Sequence, residues 1–149
     1  MEPELKFPPA RGLFITGTDT GIGKTLVAGA IARYLDHKGI KPGVFKPIAT
    51  GCRLDREGLV SPDAEFLAHC CDSPLALEQI NPIRYREPLA PMVAAQRAQK
   101  PIDWEMLVTS YQYLSENFPF LLVEGIGGIM VPLTAKYLVL DLMQALNLP

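Results

Sequence analysis

Residues 12–35 read GLFITGTDTGIGKTLVAGAIARYL: a short apolar run, a turn rich in glycine and threonine, then apolar residues at helical spacing. A buried strand that feeds a glycine turn and then an amphipathic helix is the first half of a βαβ unit. Such a unit calls for a parallel partner strand reached by a right-handed crossover. Leu26, Val27, Ala30, Ile31, Tyr34 and Leu35 recur at intervals of three and four, which predicts a helix with that face against a sheet. Gly39 stops the helix, and Lys38 suits its C-terminal end.

The remaining segments continue the alternation. GVFKPIATG (43–51) reads as a second strand, with Pro47 marking its exit. Ser61–Pro62 reads as an N-cap followed by a first-turn proline, opening a helix to about Cys71. Residues 72–91 hold Pro74, Pro82, Pro88 and Pro91 and are expected to be mostly loop. A short helix is expected over 91–99. Asp103 can cap a longer one that turns Trp104, Leu107, Val108, Tyr111 and Leu114 inward. FPFLLVEGIGG (118–128) reads as a third strand ending in a carboxylate and a glycine turn, and 138–147 as a last apolar helix. The predicted class is therefore α/β, with residues 1–149 forming one domain around a parallel sheet flanked by helices. In such sheets ligands sit beyond the carboxyl ends of the strands, so the turns at 17–25, 46–51 and 124–128 should converge.

Composition narrows the partners. With 48% hydrophobic residues a real core can form, and a net charge of −2 with scattered basic residues gives no electrostatic basis for binding nucleic acid or anionic membrane. No apolar run reaches the ~18 residues of a membrane span, and the opening MEPELKFPPARG lacks the pattern of a signal peptide. Cys52, Cys70 and Cys71 form no CxxC pair, which fits structural thiols in a reduced, cytoplasmic setting.

The loop GTDTGIGKT ends in Gly23-Lys24-Thr25 directly before the helix. Its glycines allow backbone N–H groups to curl around an anion, and the helix N-terminus adds positive potential. Lys24 would reach terminal phosphates, and Thr25 would set its hydroxyl on magnesium. The spacing is irregular: Thr18 stands where the common phosphate-loop motif has glycine, and Gly17 lies one residue further back. The plainer reading is a tight glycine turn with a solvated lysine. Magnesium shared with phosphates needs further oxygen ligands. Glu124 ends an apolar strand, where a carboxylate has no packing role; Asp63 lies in a first helical turn, where it equally suits the helix dipole. Lys46 should emerge at the end of the second strand, on the same edge as Lys24. Two ammonium groups there imply substantial negative charge between them, an anion beyond the nucleotide or charge that grows during reaction.

GTDTGIGKT, KPIATG, SPDA, NPIRYREPLAP and VEGIGGIMVPL occur in the order and separations of the dethiobiotin synthetase family, which the chain resembles over roughly residues 11 to 148. The resemblance accounts for the offset glycine, and implies a P-loop NTPase-like parallel sheet flanked by helices and incomplete at the C-terminus. It implies an ATP- and magnesium-dependent ring closure in biotin synthesis: 7,8-diaminopelargonic acid takes up carbon dioxide, and the product is dethiobiotin. It implies Lys24 and Lys46 as catalytic residues. Gly21, Ile22, Gly23, Lys24, Thr25 and Leu26, with Asp63, Glu124, Gly125, Ile126 and Gly127, would bind the nucleotide. Thr25, Asp63 and Glu124 would be the magnesium ligands, with Thr20 and Thr50 on the substrate side. It further implies a homodimer of the complete protein, and a chain that covers the N-terminal two-thirds of the family pattern, without the part that selects the base and carries much of the dimer interface. Met92 stands where the family often has histidine. Three alternatives remain beside this reading: a related amide ligase or amidotransferase, a nucleotide-dependent switch ATPase, and an inactive fragment. KPIATG argues against the first, and the absence of a lysine from Thr18 to Ile22 against the second.

Overall fold

The most apolar strand lies at the centre. In the computed structural model, which describes residues 2–149, Phe120–Glu124 (β7) is flanked on one side by Gly12–Ile15 (β1) and on the other by Pro42–Phe45 (β2), both parallel to it. Alternate side chains divide the core into two layers, as the strand period of two requires. Phe14, Phe45, Leu121 and Val123 pack toward Trp104–Asn117 (α5) and Val139–Leu146 (α6). Val44 and Leu122 pack toward Lys24–His37 (α1) and Pro62–Cys70 (α2). Helices on both faces of a parallel sheet are the expected α/β architecture.

The crossover through α1 skips one position, so β7 enters between β1 and β2. The register aligns Ile15 with Glu124 and Phe45 with Val123. The end of each strand thus comes to one edge, and Glu124 closes the middle strand between the two turns that carry the lysines.

Several boundaries differ from the sequence reading. The segment expected as one strand over 43–51 is two: β2 stops at Phe45, and Ile48–Ala49 (β3) pairs with Ile83–Arg84 (β6) in a separate parallel ribbon. Pro47 has no N–H for the ladder and ends the first pairing. Between them in sequence, Arg53–Asp55 (β4) and Gly58–Val60 (β5) form an antiparallel hairpin that polar residues concealed. The 72–91 segment contains one turn of helix, Leu77–Ile80 (α3), as well as β6. The expected helix at 91–99 is Pro91–Arg97 (α4). Both caps form as read: the Ala64 N–H donates to Ser61 Oγ at 3.3 Å and the Met106 N–H to Asp103 Oδ1 at 2.9 Å.

The face of α1 needs correction. Leu26, Val27 and Tyr34 are more than half exposed, and Ala30 is exposed as well; Ile31 and Leu35 pack half-buried against the core as read, and the fully buried apolar side is made of Ala28, Gly29 and Ala32. Small residues let α1 approach α2 closely. A Cβ on Gly29 would stand 2.4 Å from Phe66 Cε1 and 2.9 Å from Cys70 Sγ. Periodicity selected the larger apolar residues, whereas close packing used the smallest ones.

Candidate active site

The loop between β1 and α1 curls over the carboxyl edge of the sheet. Gly21 and Gly23 take positive φ, 75° and 101°, a conformation that glycine adopts without cost, and Gly23 caps α1. The loop is braced from outside by the Ile129 N–H, which donates to the Gly17 carbonyl at 3.0 Å, and within itself by the Thr20 N–H, which donates to Asp19 Oδ1 at 2.7 Å. Inside it, Lys24 is buried and its Nζ donates to the Asp19 carbonyl at 2.6 Å. Burial holds the Lys24 ammonium below the ordinary lysine range; the Lys46 ammonium adds to this, while Glu124, Asp63 and Asp19 oppose it.

Lys46 follows the last residue of β2 and is almost wholly buried. Its Nζ lies 3.0 Å from Asp63 Oδ2 and 3.1 Å from Glu124 Oε1, and donates to the Gly125 carbonyl at 3.2 Å. Thr25 Oγ1 donates to the same Glu124 Oε1 at 2.6 Å. Two lysines, two carboxylates and a hydroxyl from four separate elements therefore surround one cleft of about 420 Å³.

Thr20, Gly21, Gly23, Lys24, Thr25, Lys46, Thr50, Asp63, Glu124, Ile126 and Gly127 all line this cleft. Gly125 reaches it through its carbonyl. Ile22 and Leu26 do not line it, and their side chains are exposed. Ala49 lines the cleft without having been read from the sequence. Asp19 and Gly128 were also missed. Asp19 is legible in retrospect, since an aspartate in a turn commonly caps the following N–H. Gly128 carries no such signal: it matters because a Cβ there would lie 2.5 Å from the Thr18 carbonyl oxygen, which only the folded chain reveals.

The donors suit a hard divalent cation. Glu124 is 1% exposed, and its Oε2 has no hydrogen-bond partner. A buried carboxylate oxygen left so is costly unless a ligand meets it. Thr25, Asp63 and Glu124 offer oxygen alone, which favours magnesium over softer metals. Among the described residues there is no group of three His, Cys, Asp or Glu side chains able to hold a metal, so phosphate oxygens and water would have to complete the coordination. Among the described residues, no helix is long and apolar enough to cross a membrane.

The parallel sheet with its phosphate loop before α1 defines an α/β protein of the P-loop NTPase type. A family model described as an AAA domain matches residues 11–149, and the chain belongs to that family. It is 40% identical over 146 residues to the ATP-dependent dethiobiotin synthetase BioD of Thermodesulfovibrio yellowstonii, covering 93% of this chain and 60% of that protein. Proteins of the same name from Bacillus licheniformis and Methanococcus vannielii are 37% and 35% identical, over 93% and 91% of this chain. The chain spans about three fifths of the length of these relatives, at 60%, 58% and 61%.

Proposed function

We propose that the protein is an ATP-dependent ligase that closes a ureido ring on 7,8-diaminopelargonic acid with carbon dioxide, giving dethiobiotin, ADP and phosphate. The reading is carried by one observation: Lys24 and Lys46, from different strand ends, line a single cleft together with Thr25, Asp63 and Glu124. The relatives named as dethiobiotin synthetases support it.

One amine of the substrate takes up carbon dioxide as a carbamate. A carbamate oxygen attacks the γ-phosphorus of ATP; the bond to ADP breaks, and ADP keeps its electron pair. The second amine attacks the carbonyl carbon of the resulting carbamic–phosphoric anhydride, phosphate leaves and the ring closes. The amine protons released in both steps pass to water. Such phosphoryl transfer depends mainly on positioning and charge neutralisation. In this scheme Lys24, at the head of α1, meets the terminal phosphates. Lys46 meets the carbamate and the transferring group. Thr50 and Thr20 orient the diamine, and the loop from Gly21 to Leu26 holds the nucleotide with Ile126 and Gly127 opposite. Magnesium held by Thr25, Asp63 and Glu124 would supply neutralisation of the phosphate oxygens. A cytoplasmic homodimer without nucleic-acid or membrane partners belongs to the same reading.

The test is phosphate release by the complete protein with ATP, magnesium and bicarbonate. Release that requires both the diamine and bicarbonate is expected. Release indifferent to the diamine would overturn the ligase in favour of a nucleotide-dependent switch.

A further inference from the structure

Lys46 has left the central sheet, yet its ammonium is placed within hydrogen-bond reach of three groups. β2 ends at Phe45, and the next residue, Pro47, cannot donate to a ladder. The Lys46 backbone is instead held by residues 80–83. Its N–H donates to the Ile80 carbonyl at 2.8 Å, and its own carbonyl accepts from Asn81 Nδ2 at 2.6 Å. The same amide nitrogen reaches the Ile83 carbonyl at 3.3 Å. Asn81 is wholly buried, and its N–H is fixed to the Leu77 carbonyl at 2.7 Å, so the side chain is anchored on α3.

We infer that Asn81 is a positioning residue: its side-chain amide clamps the Lys46 peptide and so aims the Lys46 ammonium into the cleft. The chemistry of the position requires such a residue. Two neighbouring carbonyls converge on one point, and only a group with two N–H donors in one plane satisfies both. Aspartate would set oxygen against oxygen, and leucine would leave the Lys46 carbonyl without this donor. The amide oxygen, Oδ1, has no partner and is buried. That is an unfavourable feature of a residue kept for stability alone, but an accepted one where the donor side fixes a reacting group.

The role of Lys46 in turnover rests on the ligase reading; its placement by Asn81 does not. Two measurements separate them. In the first, the protein is treated with a limiting amine-acylating reagent and the modified lysines are quantified by mass spectrometry, with exposed Lys38 as the internal reference and buried Cys71 as a reporter of general loosening. Asn81→Ala should raise labelling of Lys46 several-fold and leave Cys71 protected from a thiol reagent. Unchanged Lys46 labelling, or Lys46 and Cys71 opening together, overturns the inference. Asn81→Ser is milder in volume and polarity and carries the same comparison if the alanine variant does not accumulate as folded protein. In the second, diamine-dependent kcat should fall about 10–100-fold, as misplacement by about an ångström does, while the affinity for ATP stays unchanged. In a Lys46→Ala background, Asn81→Ala should cause no further loss; a further loss of like size marks a general structural defect and overturns the positioning role. A wild-type protein with no diamine-dependent turnover refutes the ligase instead, and the labelling result still decides the placement of Lys46.

Discussion

Gly128→Ala is the sharpest test of how the phosphate loop is held. The new Cβ would stand 2.5 Å from the Thr18 carbonyl oxygen and 2.9 Å from its carbon, both backbone atoms with no side-chain freedom to yield. An ordinary carbon–oxygen contact is about 3.3 Å, so the Thr18 carbonyl must retreat by roughly 3.3 − 2.5, or 0.8 Å. The loop cannot slide as a unit, because the Gly17 carbonyl beside it accepts from the Ile129 N–H at 3.0 Å. The displacement therefore passes to Asp19, whose carbonyl holds the Lys24 ammonium. Overpacking of this kind costs about 1–3 kcal/mol, or roughly 5–150-fold in an equilibrium constant.

The expected outcome is a rise of about 10–100-fold in the Kd for ATP, read by titration calorimetry. Gly12→Ala is the control. Its Cβ would lie 2.2 Å from the Leu121 carbonyl oxygen, an equally severe clash at the start of β1, away from the loop. It should lower stability and spare nucleotide affinity among the folded molecules. An ATP affinity in Gly128→Ala within twofold of wild type, or an equal loss in Gly12→Ala, would refute the claim that residues 127–129 set the shape of the loop.

Three further outcomes follow from the same geometry. Lys46→Ala should lower turnover by ~10²–10³, the usual effect of losing one charge-stabilising group, with ATP affinity retained in direct binding. Asp103→Ala leaves the Met106 N–H without its acceptor and should lower unfolding free energy in urea by about 1 kcal/mol with no change in ATP binding. Alkaline pH should destabilise the fold: burial pushes the Tyr85 hydroxyl up to about 12 and the Cys71 thiol up to about 11. Both groups bind their proton more tightly folded than unfolded, so their contribution is complete below their ordinary values of about 9 and 10 and is lost as pH climbs toward 11 and 12. Urea midpoints across that range should fall in wild type, and less steeply in Tyr85→Phe.

What could be read from the residues divides along physical lines. β1, β7 and the caps at Ser61 and Asp103 were legible because local chemistry specifies them: an apolar run bounded by glycine, or a side-chain oxygen placed before a helix. The cleft was legible because strand ends in a parallel sheet share an edge, which brings Lys24, Lys46 and Glu124 together from positions far apart in sequence. The buried face of α1 was not, because Ala28, Gly29 and Ala32 are weak signals beside Leu26 and Tyr34, and close approach of two helices rewards small volume rather than hydrophobicity. The ribbon of β3 and β6 was not, because each strand is only two residues long and one lies in a proline-rich stretch. Asn81 escaped for the same reason: its two acceptors belong to residues 46 and 83, and only the second is local.

The ribbon and Asn81 lie together on one side of the cleft. The nucleotide side of the cleft is held by the central sheet and by the contacts of residues 127–129 with the loop. The side that carries Lys46 and Thr50 is held by residues 80–85, through the Ile83 N–H on the Pro47 carbonyl at 3.3 Å and the Tyr85 N–H on the Ala49 carbonyl at 2.9 Å. The two sets of backbone hydrogen bonds share no residue. Perturbations of the two sides should therefore combine independently, as they do for sites without common partners. Gly128→Ala should weaken ATP binding at unchanged Lys46 labelling, Asn81→Ala should do the reverse, and the fold-losses in kcat/KM should multiply in the double variant. Lys46 Nζ joins the two sides, through the Gly125 carbonyl and through Glu124 Oε1 at the end of the central strand. A double variant much less impaired than the product of the single effects would mean that these contacts couple the two supports, and that the cleft is braced as one piece rather than two.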